Sequence, residues 1–365
     1  MPKRHLLVLF EVCRLNALIS SIPPAFLIKN LETSMKQRFV ASMAVCAAAL
    51  AGLLTTVASP AAVAQSFPAQ PVRLISPFPA GSGPDVVARI VGERLSAAWK
   101  QPVVVDARPG ANGFLAAGAV KQAAPTGYDL LLADVGHLAI SPSLFKNLPY
   151  NPKTDFVPVG GIYRTSFFIA VGANSPIRTV KDLIAAASAN PGKITYGSNS
   201  VGGPLHLGAA QVEAVTGTKM LHVPYKEISQ LYLAVSTGEV DWAMGSVAST
   251  AALVKAGKLR LIAVADSPRS SVLPDVPTFQ EAGGPKDIQV RSWVAVMAPK
   301  GTPAAVVNTL NRSLGDVLKQ PEVMEKFAGF GFVPDAQTPA ALTRLIGTET
   351  VYYADMVKRT GATID

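Results

Sequence analysis

Cysteine is almost missing from this 365-residue chain: there are two, Cys13 and Cys46, both within the first 64 residues. Once that segment is removed, as its pattern predicts below, no thiol remains. Disulfides and cysteine-bound metals are then excluded. Histidine is scarce as well, four in all, and no H-x-x-x-H spacing exists, so no metal site is expected. Charged residues make up 16% and aromatics 7%. No cluster of Lys and Arg interleaved with aromatics appears, so nucleic acid is not an expected partner. No G-K-[ST] follows a glycine-rich loop, and Gly81-x-Gly83 lacks the third glycine of a dinucleotide fingerprint. No cofactor is predicted.

What is present is apolar: 49% of residues are hydrophobic, which supplies a sizeable core and argues against disorder. From Met35 the chain reads "MKQRFVASMAVCAAALAGLLTTVASPAAVAQ". A basic start, an apolar stretch and Ala62-Val63-Ala64 follow the grammar of a secretory signal over residues 35–64, with cleavage after Ala64. The alternative is an uncleaved membrane anchor, and the A-x-A ending favours cleavage. Residues 1–34 read as an upstream extension, with Met35 the working start. Bulky Val45 before Cys46 speaks against lipidation. Residues 1–64 hold six of the 33 basic and two of the 24 acidic residues, leaving about +5, a mild field suited to small anions.

Strand and helix signals then alternate. "VRLIS" leads to a helix from Val86, and "PVVVDA" passes through "RPGANG" to "FLAAGAVKQAA". "ITYGS", "KMLHVPY" and "VDWAMGS" each precede a helical stretch, and "LRLIAVA" ends the run. This is an α/β pattern of mostly parallel sheets covered by helices. From Thr302 the tail reads as helices only. "FFIAVGA" is a candidate outgoing crossover, and "VRSWVAVMAPKGTP" a candidate return. Ser82-x-x-Asp85 and Thr179-x-x-Asp182 fit capping boxes, and Thr338-Pro339 opens the last helix similarly.

The turn "PFPAGSGPD", Pro77 to Asp85, joins a strand to a helix. Such a turn presents unpaired amides of the first helical turn and the positive end of the dipole, a place for carboxylate or phosphate. The plainer alternative is a βα loop in which Ser82 and Asp85 only cap the helix. "YGSNSVGGPLHLG", from Tyr196, repeats the design, and open α/β sheets bind ligands at these carboxyl ends. "SNSVG" resembles a nucleophile elbow around Ser200, but Ser198 stands where the first glycine is required. The only acid between Ser200 and His222 is Glu213, so a secreted serine hydrolase is the weaker reading. His137, after "LLLADVG", either lines a cleft or packs. His206 packs or caps its helix, with ligand contact the other reading, and His222 is structural. Tyr225 ends a strand, facing a ligand or half-buried. Asp266, after "LIAVA", either faces a ligand as Tyr225 would or is a surface-loop acid, the loop being favoured, and Trp99, Trp242 and Trp293 read as core or hinge packing.

Taken together, these stretches resemble a known family. From Phe67 to the C-terminus the chain is similar to Bug-type periplasmic solute-binding proteins of tripartite tricarboxylate transport systems. The stretches are "PVRLISPFPAGSGPDVVAR", "RPGANG", "AAPTGYDLLLADVGHLAISPSLFKNLPYNPKTDFVPV", "YGSNSVGGPLHL", "VPYK", "AGKLRLIAVADSPRSSVLPDVPTFQEAG" and "SWVAVMAPKGTP". The resemblance implies a two-lobed, type II-like binding protein: lobe 1 from 65–167 with 291–365, lobe 2 from 168–290, joined by crossing strands. It implies a monomeric, non-enzymatic periplasmic receptor. Such a receptor closes on a small organic carboxylate and serves the permease subunits of a membrane transporter; a sensor is the other partner possible. The carboxylate grip carries onto Phe78, Ala80, Gly81 and Ser82, and onto Ser198, Asn199, Ser200, Gly202 and Gly203, with Asp85, His137 and Tyr225 beside them. Departures are "AGSGPD" in place of a glycine run, "DARPGANG", "PTGYD", the missing glycine after Lys226, and "DVGH" where a Ser/Thr-rich strand end is common.

Overall fold

Strand β1 (Val72–Ser76) turns through residues 77–82 into helix α1 (Gly83–Trp99), which carries Pro84 in its first turn, where a helix tolerates it. The computed structural model describes residues 67–286, 288–362 and 364, so the predicted upstream extension and signal segment lie outside the described residues. After β2 (Val103–Ala107) come a tight turn at 111–113, α2 (Phe114–Lys121) and β3 (Asp129–Asp134). A π-type turn at Gly136–Ile140 leads to the short α3 (Ser141–Leu144) and the long β4 (Phe156–Ser166).

One residue, Phe167, separates β4 from β5 (Phe168–Gly172). The chain continues through α4 (Val180–Ala189), β6 (Thr195–Ser198), α5 (Pro204–Thr216), β7 (Leu221–Pro224) and α6 (Ile228–Thr237). It then runs through β8 (Trp242–Gly245), α7 (Val247–Lys255) and β9 (Leu259–Val264). Strand β10 (Arg291–Pro299) is followed by α8 (Ala304–Leu318), α9 (Pro321–Gly329), β11 (Val333–Pro334) and α10 (Pro339–Thr360). The tail therefore contains a short strand that its helical pattern did not reveal. The capping box at Thr179 forms, with Asp182 N–H donating to Thr179 Oγ1 and Thr179 N–H to the Asp182 carboxylate. Thr338 also caps its helix, accepting from Ala341 N–H at 3.2 Å.

Two sheets result, in the orders β11-β4-β10-β3-β1-β2 and β7-β6-β8-β5-β9. Both are mixed, which corrects the expectation of mostly parallel sheets. β1 pairs in parallel with β2 and β3, and β6 with β7 and β8, because helical crossovers connect them. Pairs involving β4, β5 and β10 are antiparallel, because those strands carry the chain between the sheets. At the junction Phe167 N–H donates to Val290 O, Ala265 N–H to Phe167 O, and Val290 N–H to Ala265 O.

The central strands are apolar on both faces, as helix-covered strands must be: β5 is buried throughout, and β3 across its four inner residues. One face of the first sheet packs Leu131, Ala295 and Met297 against α2 and α10, and Leu207 of α5 joins that cluster. The other face packs Leu74, Leu132 and Val296 against α1, α8 and α9. The second sheet buries Trp242 and Met244 beside α4 and α5. Trp242 and Trp293 are core residues at 0% and 4% exposure.

Candidate functional site

The first turn is braced from within. Asp85 is 1% exposed; its carboxylate accepts from Gly81 N–H at 2.8 Å and from Arg89 Nε at 2.9 Å and Nη2 at 3.1 Å. Burial pushes the Asp85 carboxyl up, but Arg89 and the Gly81 amide outweigh it and hold the group below its usual range. The expected Ser82 capping box does not form, because Asp85 reaches back to Gly81 and Ser82 Oγ donates to Pro79 O. Ser82 N–H also donates to Pro79 O, and Phe78 N–H to Ser76 Oγ. Gly81, Ser82 and Asp85 thus shape the turn with the groups a ligand would have used. The amides of Ala80, Gly83 and Asp85 have no acceptor among the described residues.

The second turn is organised similarly. Ser198 is fully buried, and its Oγ meets Ser200 O at 3.1 Å and His222 Nε2 at 2.8 Å. The Ser198 hydroxyl of that pair is itself buried, so it is not presented to a substrate. Gly202 N–H donates to His206 Nδ1 at 2.9 Å, and Gly203 N–H to Ser200 O. His206 is therefore a cap, stacked on His222 with ring centroids 4.1 Å apart. Burial, then the charge of His222, pushes its pKa down to about 4. Asn199 and Ser200 are exposed, and the Leu205 and His206 amides at the tip of α5 lack acceptors among the described residues. Tyr225 N–H donates to Ser198 O, while its hydroxyl is occupied by Glu239 at 3.2 Å.

A third turn, at the tip of α7, escaped the sequence reading. Ser246 and Ser249 form a capping box, leaving the Val247 and Ala248 amides without acceptors among the described residues. The signal was "MGSVAST", a Ser-x-x-Ser directly after a strand.

Contacts tie the three turns together. Gly202 abuts Leu144 of α3 with no room for a Cβ, and Gly331 abuts Val247 in the same way. A Cβ on Gly83 would lie 3.1 Å from the ring of Phe332, next to Gly331. The His137 ring, on the turn leading to α3, stands edge-on to Phe78 at 5.6 Å. The α7 tip therefore reaches the first turn through Gly331 and Phe332, and the α5 turn packs on α3, which follows the turn carrying His137. His137 Nδ1 bonds Asp134 Oδ1 at 2.5 Å, and Asp134 also accepts from His137 N–H. Burial pushes the Asp134 carboxyl up, but the charge and hydrogen bonds of His137 outweigh this and hold it below the usual range.

Asp266 differs from the favoured reading as a surface-loop acid. It accepts from Ser166 Oγ at 2.7 Å and pairs with Arg291 at 3.2 Å, where the chain crosses between sheets. Its place after β9 is set by the sheet, which sequence spacing does not show.

The comparisons with known proteins agree with this architecture. The model of the "Tripartite tricarboxylate transporter family receptor" matches residues 87–364. The protein BugT of Bordetella pertussis is 33% identical over 300 residues, covering 82% of this chain and 92% of its own. Among solved structures, R. palustris Rpa4515 with adipate has a TM-score of 0.74 at 30% identity, covering 81% of this chain and 98% of its own. MatC from Rhodopseudomonas palustris with bound malate has a TM-score of 0.70 at 27% identity, covering 80% of this chain and all of its own. On sequence, sheets and turns alike, the chain belongs to the tripartite tricarboxylate transporter family of receptors, the Bug-type periplasmic solute-binding proteins.

Proposed function

We propose that this protein captures a small organic carboxylate between its two lobes and hands it to the membrane subunits of a tripartite transporter. It works as a monomer in the periplasm after cleavage following Ala64. Lobe 1 comprises 65–167 with 291–365, and lobe 2 comprises 168–290.

One observation carries this reading: helix tips with spare amides follow strands of both sheets, and the α1 and α7 tips meet across the adjacent residues Phe332 and Gly331. Amides at a helix start bind an anion without a counter-charged side chain, aided by the dipole. On this reading Ala80, Gly83 and the Asp85 amide face the ligand from lobe 1, with Phe78 and His137 beside them. Asn199, Ser200 and the α5 and α7 tips face it from lobe 2. Gly81, Ser82, Ser198, Gly202, Gly203 and the Asp85 carboxylate hold these turns in shape. The adipate and malate in the related structures support a carboxylate as ligand.

Calorimetry and thermal melts of the mature protein against a carboxylate panel test the proposal. A ligand at a hundredfold excess over its Kd adds about 2.7 kcal/mol of stability. Binding of neutral sugars or cations, with no response to any acid, would overturn it.

A further inference from the structure

The face of the first sheet that carries α2 and α10 also carries a pocket of about 560 Å³, a volume typical of small-molecule sites. It opens among Lys121 of α2, Thr350 of α10 and the connection from Leu138 to Asp155, and shares no residue with the α1, α5 or α7 turns. Its walls are set before any ligand arrives. Pro142, Pro149 and Pro152 fix φ along the connection. Tyr150 Oη donates to His137 O at 2.8 Å, and Phe145 stands edge-on to Phe114 with ring centroids 5.0 Å apart. Asn151 N–H donates to the Asp155 carboxylate at 2.8 Å, and Asp155 N–H to Asn151 O at 2.9 Å.

The lining has two kinds of chemistry. Leu138, Phe145 and Leu148 are apolar, whereas Lys121, Lys146 and Lys153 stand with a single acid, Asp155. That acid is already engaged, by Asn151 N–H and by Lys121 Nζ at 3.0 Å. Burial pushes the Asp155 carboxyl up, but the Asn151 amide, Lys121 and Lys300 outweigh this and hold it below its usual range. Lys121 Nζ also donates to Pro149 O at 3.1 Å, which leaves one of its three N–H groups. Lys153 is exposed, and its ammonium has no partner among the described residues.

We propose that this pocket is a second ligand site, separate from the helix tips, for an amphipathic anion: an aromatic body bearing a carboxylate or sulfonate. The body lies against Phe145 and Leu148, and the acid group meets Lys121 and Lys153. An ammonium is a compact charge with rotatable donors, so the site selects charge and apolar size rather than one acid geometry. The site does not depend on carboxylate capture at the helix tips.

Fluorescence titration of the mature protein with anilinonaphthalene sulfonate tests this, against N-phenylnaphthylamine, the same ring system without the sulfonate. Wild type should bind the sulfonate about tenfold more tightly than the uncharged probe, the worth of a hydrogen bond to a charged group. Lys153→Glu should weaken the sulfonate about fivefold and leave the uncharged probe unchanged. Thr350→Trp, which fills the pocket from α10, should remove both. Melting curves verify the fold of each variant, and retained binding in the carboxylate panel separates the pocket from the helix tips. Equal sulfonate binding by wild type and both folded variants, equal affinity of wild type for the two probes, or no binding of either overturns the inference and leaves capture at the helix tips standing.

Discussion

At the scale of single residues, packing has fixed groups whose chemistry invites a different role. Gly202 combines a φ of 73° with direct contact to Leu144. Gly202→Ala is expected to lose about 1–3 kcal/mol in urea unfolding through strain and overlap. An unchanged midpoint would mean that the α5 turn does not press on α3. His206 is a second case. Its folded value is down to about 4, while an unfolded histidine titrates near 6.5. Between these values the unfolded chain binds the extra proton. The histidine's contribution is therefore complete above about pH 6.5 and is lost as pH falls towards 4, on the order of 3 kcal/mol. His222, lowered by burial, acts in the same direction. His206→Gln should flatten the acid limb of a stability profile taken from pH 7.5 to 4.

At the scale of elements, helix starts matter more than helix bodies. α1, α5 and α7 each begin after a strand, and each leaves amides that no residue of the described chain satisfies. α7 offers a clean test. Proline fits the first helical position, and Ser246 already has the extended ψ of 163° that a residue before proline requires. Val247→Pro removes one donor and should preserve the melting temperature. If that amide meets the ligand, affinity falls about tenfold, the worth of a hydrogen bond to a charged group. Equal affinity would remove α7 from the site.

At the scale of the whole molecule, a side-chain triad sits where the chain crosses between the two sheets. Asp266 ties Ser166 at the end of β4 to Arg291 at the start of β10. Asp266→Ala leaves Arg291 without this partner and should cost about 1–2 kcal/mol in urea unfolding, the moderate loss appropriate to a partly exposed pair. A null result would make the triad incidental to the junction. Lobe closure has its own measurement. The radius of gyration in solution scattering should fall when the mature protein is saturated with its best-binding carboxylate, and no change would contradict capture by closure.

The sequence by itself determined the local units. Apolar runs, capping residues and Pro/Gly turns marked the strands and helices. The motifs in order pointed to the family, because these features act over a few residues and leave local patterns. It also placed two of the three helix tips. Only the tertiary structure decided which amides remain spare. Gly81 and Ser82 looked like donors until Asp85 and Pro79 were seen to occupy them, and Gly202 until His206 did. It likewise decided the sheet directions, the α7 tip and the place of Asp266. Each depends on partners distant along the chain, and hydrogen-bond satisfaction is a property of what folding brings within 3 Å or so.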